Sequence, residues 1–566
     1  MGEDRGRRTI VLAAIVLAAV LPYLNALTAE FTFDDFGLVV ENTDLPPDTP
    51  VRVLLTSGMP GGVYRPLPML TYRANAAASA GPFGYHLVNV GLHAVATVLV
   101  FALASVVLGG GLAAAICAAF FAVHPIHTEA VTSIAGRPEV LATVFVLGAL
   151  LAFAAGKRRP GARSWWLGLS LALFAAGLLS KENAFTTVLL VALLEVWLTP
   201  RATVGRLVRM LVPYVAVGAG YLAFRVWLFG TLTQPLPPPV IDNPLAHVSF
   251  WPRIGTALVV LRQYLAALAM PLRLTADDSL AQIPVVTSIG DSRLAVAVVV
   301  LAGVAVALVV TRRRAPALAF AALFTAGALA VTANVLFPIG AMKAERFLYL
   351  PSVGWCLACG WIAARWIATS DWRRALPIGL VLVALAGRTW LRNRDWQTNF
   401  TLFTVDVVTS PESARANANA GAVYGRAGKL VTATFHYRRA LHIFPRYATA
   451  AEGLAQAYEG RHHDAAALHW YARAAALDPD LVSARMRRAE LLLRRGEPAR
   501  AEVALRAVLG RRPDDPRLLA DLALARLAQR DPTGARTLVA QAESQGGPNA
   551  FTADLRRRLA ESEPSR

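Results

Sequence analysis

Apolar residues in this chain come in long runs, not in the short alternations of a soluble fold. A helix needs about 20 mostly apolar residues to cross a bilayer, and such runs are read at 9–28, 86–108, 111–123, 138–156, 164–180, 184–199, 210–229, 293–311, 315–332, 349–368 and 375–391. Beyond 391 the sequence turns polar. The pattern predicts an all-α protein with a polytopic membrane domain of about eleven spans over 1–391, followed by a soluble appendage. The stretch 254–272 holds Arg262 and Gln263 mid-run and then Pro271, so it is expected to lie at the interface or re-enter. The first run could pass for a secretory leader, but Pro22, Tyr23 and Asn25 follow it without a small-residue cleavage site, which favours an uncleaved span.

Basic clusters orient the spans. Arg5, Arg7 and Arg8, then Lys157 to Arg163, Arg201 to Arg209, Arg312 to Arg314, and Arg373 with Arg374 all fall on one side if eleven spans cross, and that side should be cytoplasmic. Parity then puts on the outer face the loops 30–85 and 230–292, the HPIHTEAVTSIAGRPE turn, SKEN at 180–183, FPIGAMKAERF and everything after 392.

In the polar region Pro445, Pro479 and Pro513 are spaced by 34 residues, the period of a tetratricopeptide repeat. In that register the small positions are Gly421, Ala455 and Ala489, with Ala433, Ala467 and Ala501, where paired helices approach. A weaker fourth copy carries Ala523, Ala535 and Ala542. The expected organisation is a linker over 392–412, about four repeats forming an α-solenoid over 413–548, and a polar cap or tail over 549–566.

Composition narrows the class. The chain is 55% hydrophobic and only 16% charged, where a soluble protein carries about 25% charged residues. Its net charge of +19 sits in short clusters between apolar runs without interleaved aromatics, so no nucleic-acid partner is expected. The three cysteines lie in apolar segments. Cys356 and Cys359, a C-x-x-C inside an expected span, read as small apolar residues one turn apart, and no disulfide framework is expected.

Candidate chemistry gathers on the expected outer face. Asp34 and Asp35 of FTFDDFG follow the first span, and two adjacent acids cannot both point into one pocket from a regular helix or strand. Arg65, Arg137, Lys181 and Arg346 are cations placed against the positive-inside trend, for which an anionic lipid-phosphate donor supplies a reason. His86, His124, His127, Glu129, Glu182, Lys343 and Glu345 complete the candidate site. Packing is the reading for His93, and a cavity role for His86 on the same face of the second span. His124, His127 and Glu129 are ligand types for a divalent metal, but the cluster is short and is a weak zinc signal.

With these residues in view, FTFDDFG, YRPLPMLTY, GYHLVNVGLHA, HPIHTEAVTSIAGRPEVLA, LLSKENAFT and KAERFLYLPSVG, followed by repeats, resemble the transmembrane and tetratricopeptide-repeat-containing protein O-mannosyltransferases of the C-type glycosyltransferase superfamily. The resemblance covers almost the whole chain, with fewer repeats than better-known members often have. It implies transfer of mannose from a polyprenyl phosphate, dolichyl in eukaryotes, to Ser or Thr hydroxyls of a protein on the outer or lumenal side. It also implies an inverting mechanism with a first-loop Asp as base, for which Asp35 is favoured over Asp34. The Ala- and Arg-rich composition suggests a bacterial member in the inner membrane, with the repeat domain on the non-cytoplasmic side. The partners expected are a polyprenyl-phosphate-linked sugar, membrane lipid, and a protein or peptide acceptor that the repeats bind. A divalent metal is an option beside the cations alone. The alternatives are transfer of another lipid-linked sugar to a lipid or glycan acceptor, and a non-catalytic membrane scaffold for envelope assembly.

Overall fold

The computed structural model describes residues 2–46, 48–58, 63–78, 81–231, 237–367, 372–510 and 513–561. Among them the regular structure is helical, with no strand. The chain divides into two compact units, Met1–Ser410 and Pro411–Arg566.

Among the described residues, six helical segments of the first unit are long and apolar enough to cross a bilayer: Arg8–Thr28, Pro82–Leu108, Ile134–Arg158, Val204–Phe229, Ser292–Thr311 and Ala375–Asp395. A seventh crossing results if Gly111–Val123 and Pro125–Val131, bent by 49°, count as one. The outermost of these present apolar residues outward: Val299 and Val310 in one, Val383 in another, are each 71% exposed. A water-soluble surface rarely presents such a run of apolar side chains, whereas a lipid-facing one requires it. The unit is a membrane domain.

The count of eleven is not confirmed. Every expected span contains a helix, but Gly111–Val123, Arg163–Leu178, Thr187–Leu198, Pro316–Leu329 and Ser352–Ile367 have only 13, 16, 12, 14 and 16 residues. At a rise of about 1.5 Å per residue, 16 residues reach roughly 24 Å, short of the ~30 Å hydrocarbon layer. Polar punctuation is the cause. Pro125, Ser180 to Asn183, and the Thr332–Asn334 turn end helices that apolar sequence would have continued, and their side chains fold inward. The 254–272 stretch forms the helix Phe250–Ala269, which is not among the segments apolar enough to cross. Its Val260, Tyr264 and Leu268 pack with Ile126, Met342 and Leu348.

Two short helices occupy the centre of the bundle. Phe121 and Cys117 of Gly111–Val123 and Val353 and Cys356 of Ser352–Ile367 join a core with Val100, Leu147, Phe174, Leu194 and Phe324. Glycine sets the approach: a Cβ on Gly354 would lie 2.3 Å from the Ala321 carbonyl, and one on Gly360 would lie 2.5 Å from the Ala113 carbonyl. All three cysteines are free thiols, Cys356 and Cys359 on one helix.

The expected linker at 392–412 is instead folded into the first unit as far as Ser410. The helix Ala375–Asp395 runs past the apolar stretch, and Asn399–Thr409 follows behind a Thr398–Thr401 capping box. Trp396, Arg392, Asn393 and Asp406 are buried. Asn393 donates to the Pro22 carbonyl at 2.8 Å and accepts from Thr132 Oγ1 at 2.8 Å. A segment buried in the domain at Arg392, Asn393, Trp396 and Asp406 cannot act as a linker.

The second unit is a series of four helix pairs, Ala414–Arg426 with Leu430–Ile443, Ala448–Gly460 with Asp464–Leu477, Val482–Arg494 with Pro498–Leu509, and Pro516–Ala528 with Pro532–Gly546. The small positions named from the period are buried in every copy, among them Ala433, Ala467, Ala501 and Ala535. The polar end forms a further helix, Ala550–Glu561, whose Leu555 and Leu559 cover Leu519 and Val539.

Gly354→Ala and Gly360→Ala should each cost about 1–3 kcal/mol of stability through overpacking against backbone. Gly379→Ala, with no atom within 4 Å of the added Cβ, should leave the melting temperature of the detergent-solubilised protein unchanged. Equal melting temperatures for all three variants would contradict this packing.

Candidate functional site

The adjacent acids of FTFDDFG point different ways, Asp35 inward and Asp34 toward Arg346, in a turn that begins at Phe33. Phe33 has φ +51°, in the left-handed region that a bulky residue rarely adopts. Its backbone N–H donates to Asn399 Oδ1 at 2.8 Å and its ring packs edge-on against Phe403 at 5.6 Å, contacts that hold the turn. Asp35 is fully buried. One of its oxygens accepts from the Ala135 N–H at 2.7 Å, and the other accepts from the Thr32 N–H at 3.0 Å, so it fastens the first loop to the 133–135 turn. Burial pushes its carboxyl up to about 7, against the lowering effect of those backbone donors. Asp34 is 41% exposed and lies 3.6 Å from Arg346 Nη1.

Arg346 is gripped by Glu129. One Glu129 oxygen accepts from Arg346 Nη1 at 2.8 Å and the other from its backbone N–H at 2.8 Å. Glu129 is buried, while the Arg346 side chain keeps 25% exposure beside the Phe347 ring. Lys181 Nζ lies 5.1 Å from the centre of that same ring. It pairs with buried Glu139 at 2.5 Å, and Glu139 also accepts from Asn183 at 2.6 Å. Arg65 closes the group, donating to Glu182 through Nε at 3.2 Å and Nη2 at 2.8 Å. Burial draws the Lys181 ammonium down to about 8; Glu139 opposes this, and the charges of Arg65 and Arg346 add to it. Burial acts to raise Glu182, but Arg65 beside it holds its carboxyl below the usual range.

In the cluster Arg346, Lys181 and Arg65 are therefore held by different glutamates, with one exposed carboxylate, Asp34, beside Arg346. Its parts come from the first loop, the 124–137 turn, the start of Arg137–Arg158, the 180–186 turn and the 343–348 turn. Such cations can bind an anion such as a phosphate, and Asp34 can accept a proton from a hydroxyl.

Other expected members are placed elsewhere. Arg137 is buried and enclosed. Nε donates to Asn89 at 2.7 Å, Nη1 to Asn75 at 2.7 Å and Thr71 at 3.1 Å, and Nη2 to the Tyr85 carbonyl at 2.9 Å, with Tyr72 stacked at 4.6 Å. It ties helices together and does not fit the phosphate role read from sequence. The histidines are also packing groups. His86 bonds the Ala29 carbonyl at 3.1 Å, which replaces the cavity role read for it. His124 bonds the Leu268 carbonyl at 3.0 Å, His127 bonds Ser352 at 2.8 Å, and His93 bonds Tyr349 at 2.7 Å. Among the described residues, no three His, Cys, Asp or Glu side chains are grouped to hold a metal ion.

Lys343 and Glu345 anchor the 343–348 turn from behind. Lys343 pairs with Asp278 at 2.6 Å, and Glu345 accepts from the Thr275 N–H and lies 3.8 Å from Arg392. Burial pushes the Glu345 carboxyl up to about 8, with Arg392 opposing. Asn334, at φ +57°, donates to the Ala341 and Met342 carbonyls, both at 3.1 Å, and shapes the approach to the same turn.

Sequence reasoning did not single out Asp278, Asp406 or Arg225. Arg225 lies 4.0 Å from Glu182 and joins the cation group from the Val204–Phe229 helix. An arginine near the C-terminal end of an apolar run was its signal, and a second Asp-Asp pair in TADDSL was the signal for Asp278.

Asp35→Asn should act on folding. An amide offers one acceptor where two N–H groups need one each, so a buried donor is left unpaired at about 1–3 kcal/mol. The melting temperature should fall, and the loss should shrink in the double variant Asp35→Asn, Thr32→Pro only if the Thr32 N–H is the unpaired donor.

No protein-family model matches the chain. Among curated proteins it is similar to "Protein O-mannosyl-transferase TMTC3" of Homo sapiens, at 28% identity over 511 residues, covering 83% of this chain and 55% of that one. It is similar also to "Protein O-mannosyl-transferase Tmtc1" of Drosophila melanogaster, at 30% identity with 78% and 62% covered, and to "Protein O-mannosyl-transferase F38B6.6" of Caenorhabditis elegans, at 28% with 79% and 64% covered. The chain thus spans between 55% and 64% of the length of these relatives. Of solved structures, YrrB, "a TPR protein with an unusual peptide-binding site", matches at 14% identity and a TM-score of 0.26, covering 34% of this chain and 97% of that one. A score that low carries no argument, and the repeat assignment rests on the 34-residue period and the helix pairs themselves.

Proposed function

From a chain whose curated homologues over most of its length are named protein O-mannosyl-transferases, we propose a membrane-embedded glycosyltransferase that moves mannose from a polyprenyl phosphate to Ser or Thr hydroxyls of proteins. The observation that carries the reading is the exposed Asp34 carboxylate 3.6 Å from Arg346, itself the neighbour of Lys181 around the Phe347 ring. The acceptor oxygen attacks the anomeric carbon, Asp34 takes the hydroxyl proton, and the bond to the lipid phosphate breaks with its electron pair on the phosphate oxygen. Arg346, Arg65 and Lys181 offset the charge that develops there, as fixed cations in a site of restricted water do. A single displacement of this kind inverts the anomeric configuration. Asp34 replaces Asp35 as the proposed base, because Asp35 is enclosed and its oxygens are already engaged.

The reaction face is proposed to be the non-cytoplasmic one of a plasma membrane, which follows from the basic clusters at the other ends of the helices. The repeats are proposed to bind the protein acceptor. Their second and third copies frame a cleft of about 610 Å³ lined by Glu459, Asp464, Tyr471, Arg487 and Arg494, groups suited to the polar backbone and side chains of a peptide.

Incubating the purified full chain with polyprenyl-phosphate mannose and Ser/Thr-containing peptides should yield mannosylated peptide. Asp34→Asn should lower turnover by about two to four orders of magnitude, the usual effect of losing a general base, with an unchanged melting temperature. Near-normal turnover in that variant would remove Asp34 from the chemistry. Arg346→Lys should raise the donor KM more than it lowers kcat, because a point charge cannot reproduce a guanidinium held by Glu129.

A pH dependence follows from Lys181, whose ammonium titrates at about 8 in the free protein. The charged form, present below that pH, is the one that binds a phosphate. kcat/KM for the donor should therefore fall as pH rises through about 8, and Lys181→Met should be low throughout and lack that limb. A wild-type profile flat to pH 10 would dissociate Lys181 from donor binding.

A further inference from the structure

The helix Arg137–Arg158 carries Glu139 of the candidate site near one end and Lys157 near the other, about 27 Å apart at the α-helical rise. Around Lys157 the structure has a second cleft, of about 590 Å³, to which the proposed transfer reaction gives no role. Its cations are Lys157, Arg163, Arg201, Arg206 and Arg209. One carboxylate opposes them: Glu195, wholly buried, pairs with Lys157 and accepts from Arg206 Nε at 3.2 Å. Five positive charges and one negative leave the lining at +4 (5 − 1). The helix Val204–Phe229 begins at the cleft with Thr203 as its cap, adding the partial positive charge of a helix N-terminus.

Basic residues at the cytoplasmic ends of spans are common and need no ligand. Three features here go beyond that pattern. The charges line a concave space. Glu195 holds two of them in fixed positions from inside the protein. Apolar side chains, Phe153, Leu167 and Met210, share the lining with the cations. A cluster that served orientation alone needs neither a cavity nor an apolar lining. A phosphate with an attached hydrocarbon chain uses both: the guanidinium groups bond the phosphate oxygens and the apolar side chains meet the chain.

We propose that this cleft is a binding site for the phosphate of an anionic membrane lipid, at the opposite end of the bundle from Asp34. The shared chemistry is a phosphate mono- or diester, and the apolar lining assigns it to a lipid headgroup in preference to free phosphate.

The test titrates the full chain, in a phosphatidylcholine–detergent micelle, with short-chain phosphatidylglycerol, and reads binding by native mass spectrometry and melting temperature. Arg201→Gln with Arg209→Gln removes two exposed charges and leaves the Lys157–Glu195–Arg206 group intact, so the fold should persist. At the ~1 kcal/mol per basic residue typical near an anionic headgroup, affinity should drop roughly 30-fold. Arg312→Gln with Arg313→Gln, which removes the same charge from an exposed turn outside the cleft, should leave affinity unchanged. Should the first pair unfold the protein, Arg163→Gln serves in its place with a correspondingly smaller loss. Inorganic phosphate is titrated in parallel. If it binds with the same dependence on Arg201 and Arg209, the phosphate site stands without a need for the hydrocarbon; if only the lipid binds, the headgroup assignment stands. Equal losses in the two double variants, or phosphatidylglycerol bound no more tightly than added phosphatidylcholine, overturn the proposal.

Discussion

Charge inside an apolar bundle has to be matched, and that requirement organises this membrane domain. Moving an ion out of water costs several kcal/mol unless a partner and further hydrogen bonds meet it. Glu129 meets Arg346, Glu139 meets Lys181, Glu182 meets Arg65, and Glu195 meets Lys157 and Arg206. In all of these but Arg65–Glu182 the glutamate is the more enclosed partner, and the cation lies nearer the surface. The glutamates act as fixed counter-charges that decide where a positive group can stand. Remove one, and the cation above it loses both its position and its reason to remain near the interior.

The same accounting separates scaffold from chemistry. Arg137 and Asp35 have their polar atoms turned to backbone carbonyls, amides and neighbouring side chains, and His86 and His124 each bond a backbone carbonyl. Arg346, Arg65 and Asp34 keep a share of their surface open. Sequence places both kinds of residue in the same motifs, because a turn that presents a reactive group must first be held. HPIHTEAVTSIAGRPE illustrates this: its Glu129 reaches the site, while His124, His127 and Arg137 fix the turn that delivers it.

Much of this was legible in the sequence. Apolar runs located every long helix, and the 34-residue proline spacing located the helix pairs of the second unit. The motifs around Asp34, Lys181 and Arg346 named the segments that converge. The sequence was less informative wherever the answer depended on which way a side chain points. Asp34 and Asp35 are adjacent and chemically identical, and only the packing around them, which buries Asp35 and leaves Asp34 beside Arg346, distinguishes them. Hydropathy could not separate a span from a short helix such as Thr187–Leu198, since both are runs of mostly apolar residues. The polar stretch after 391 looked like a linker because its hydrogen-bond partners, Pro22, Thr132 and Ala276, lie more than a hundred residues earlier.

The left-handed residue at Phe33 also makes the first loop a ruler. From the end of the Arg8–Thr28 segment to the buried Asp35 there are only a few residues, and one of them, Phe33, is left-handed. Lengthening or shortening that stretch by a single position would carry the wrong acid inward and leave the other facing Arg346 from a different height. Loops are ordinarily where chains tolerate insertions and deletions best. Here the buried Asp35 and the Asp34–Arg346 contact tie the loop at adjacent positions, so its length, and not only its two aspartates, is part of what the fold specifies.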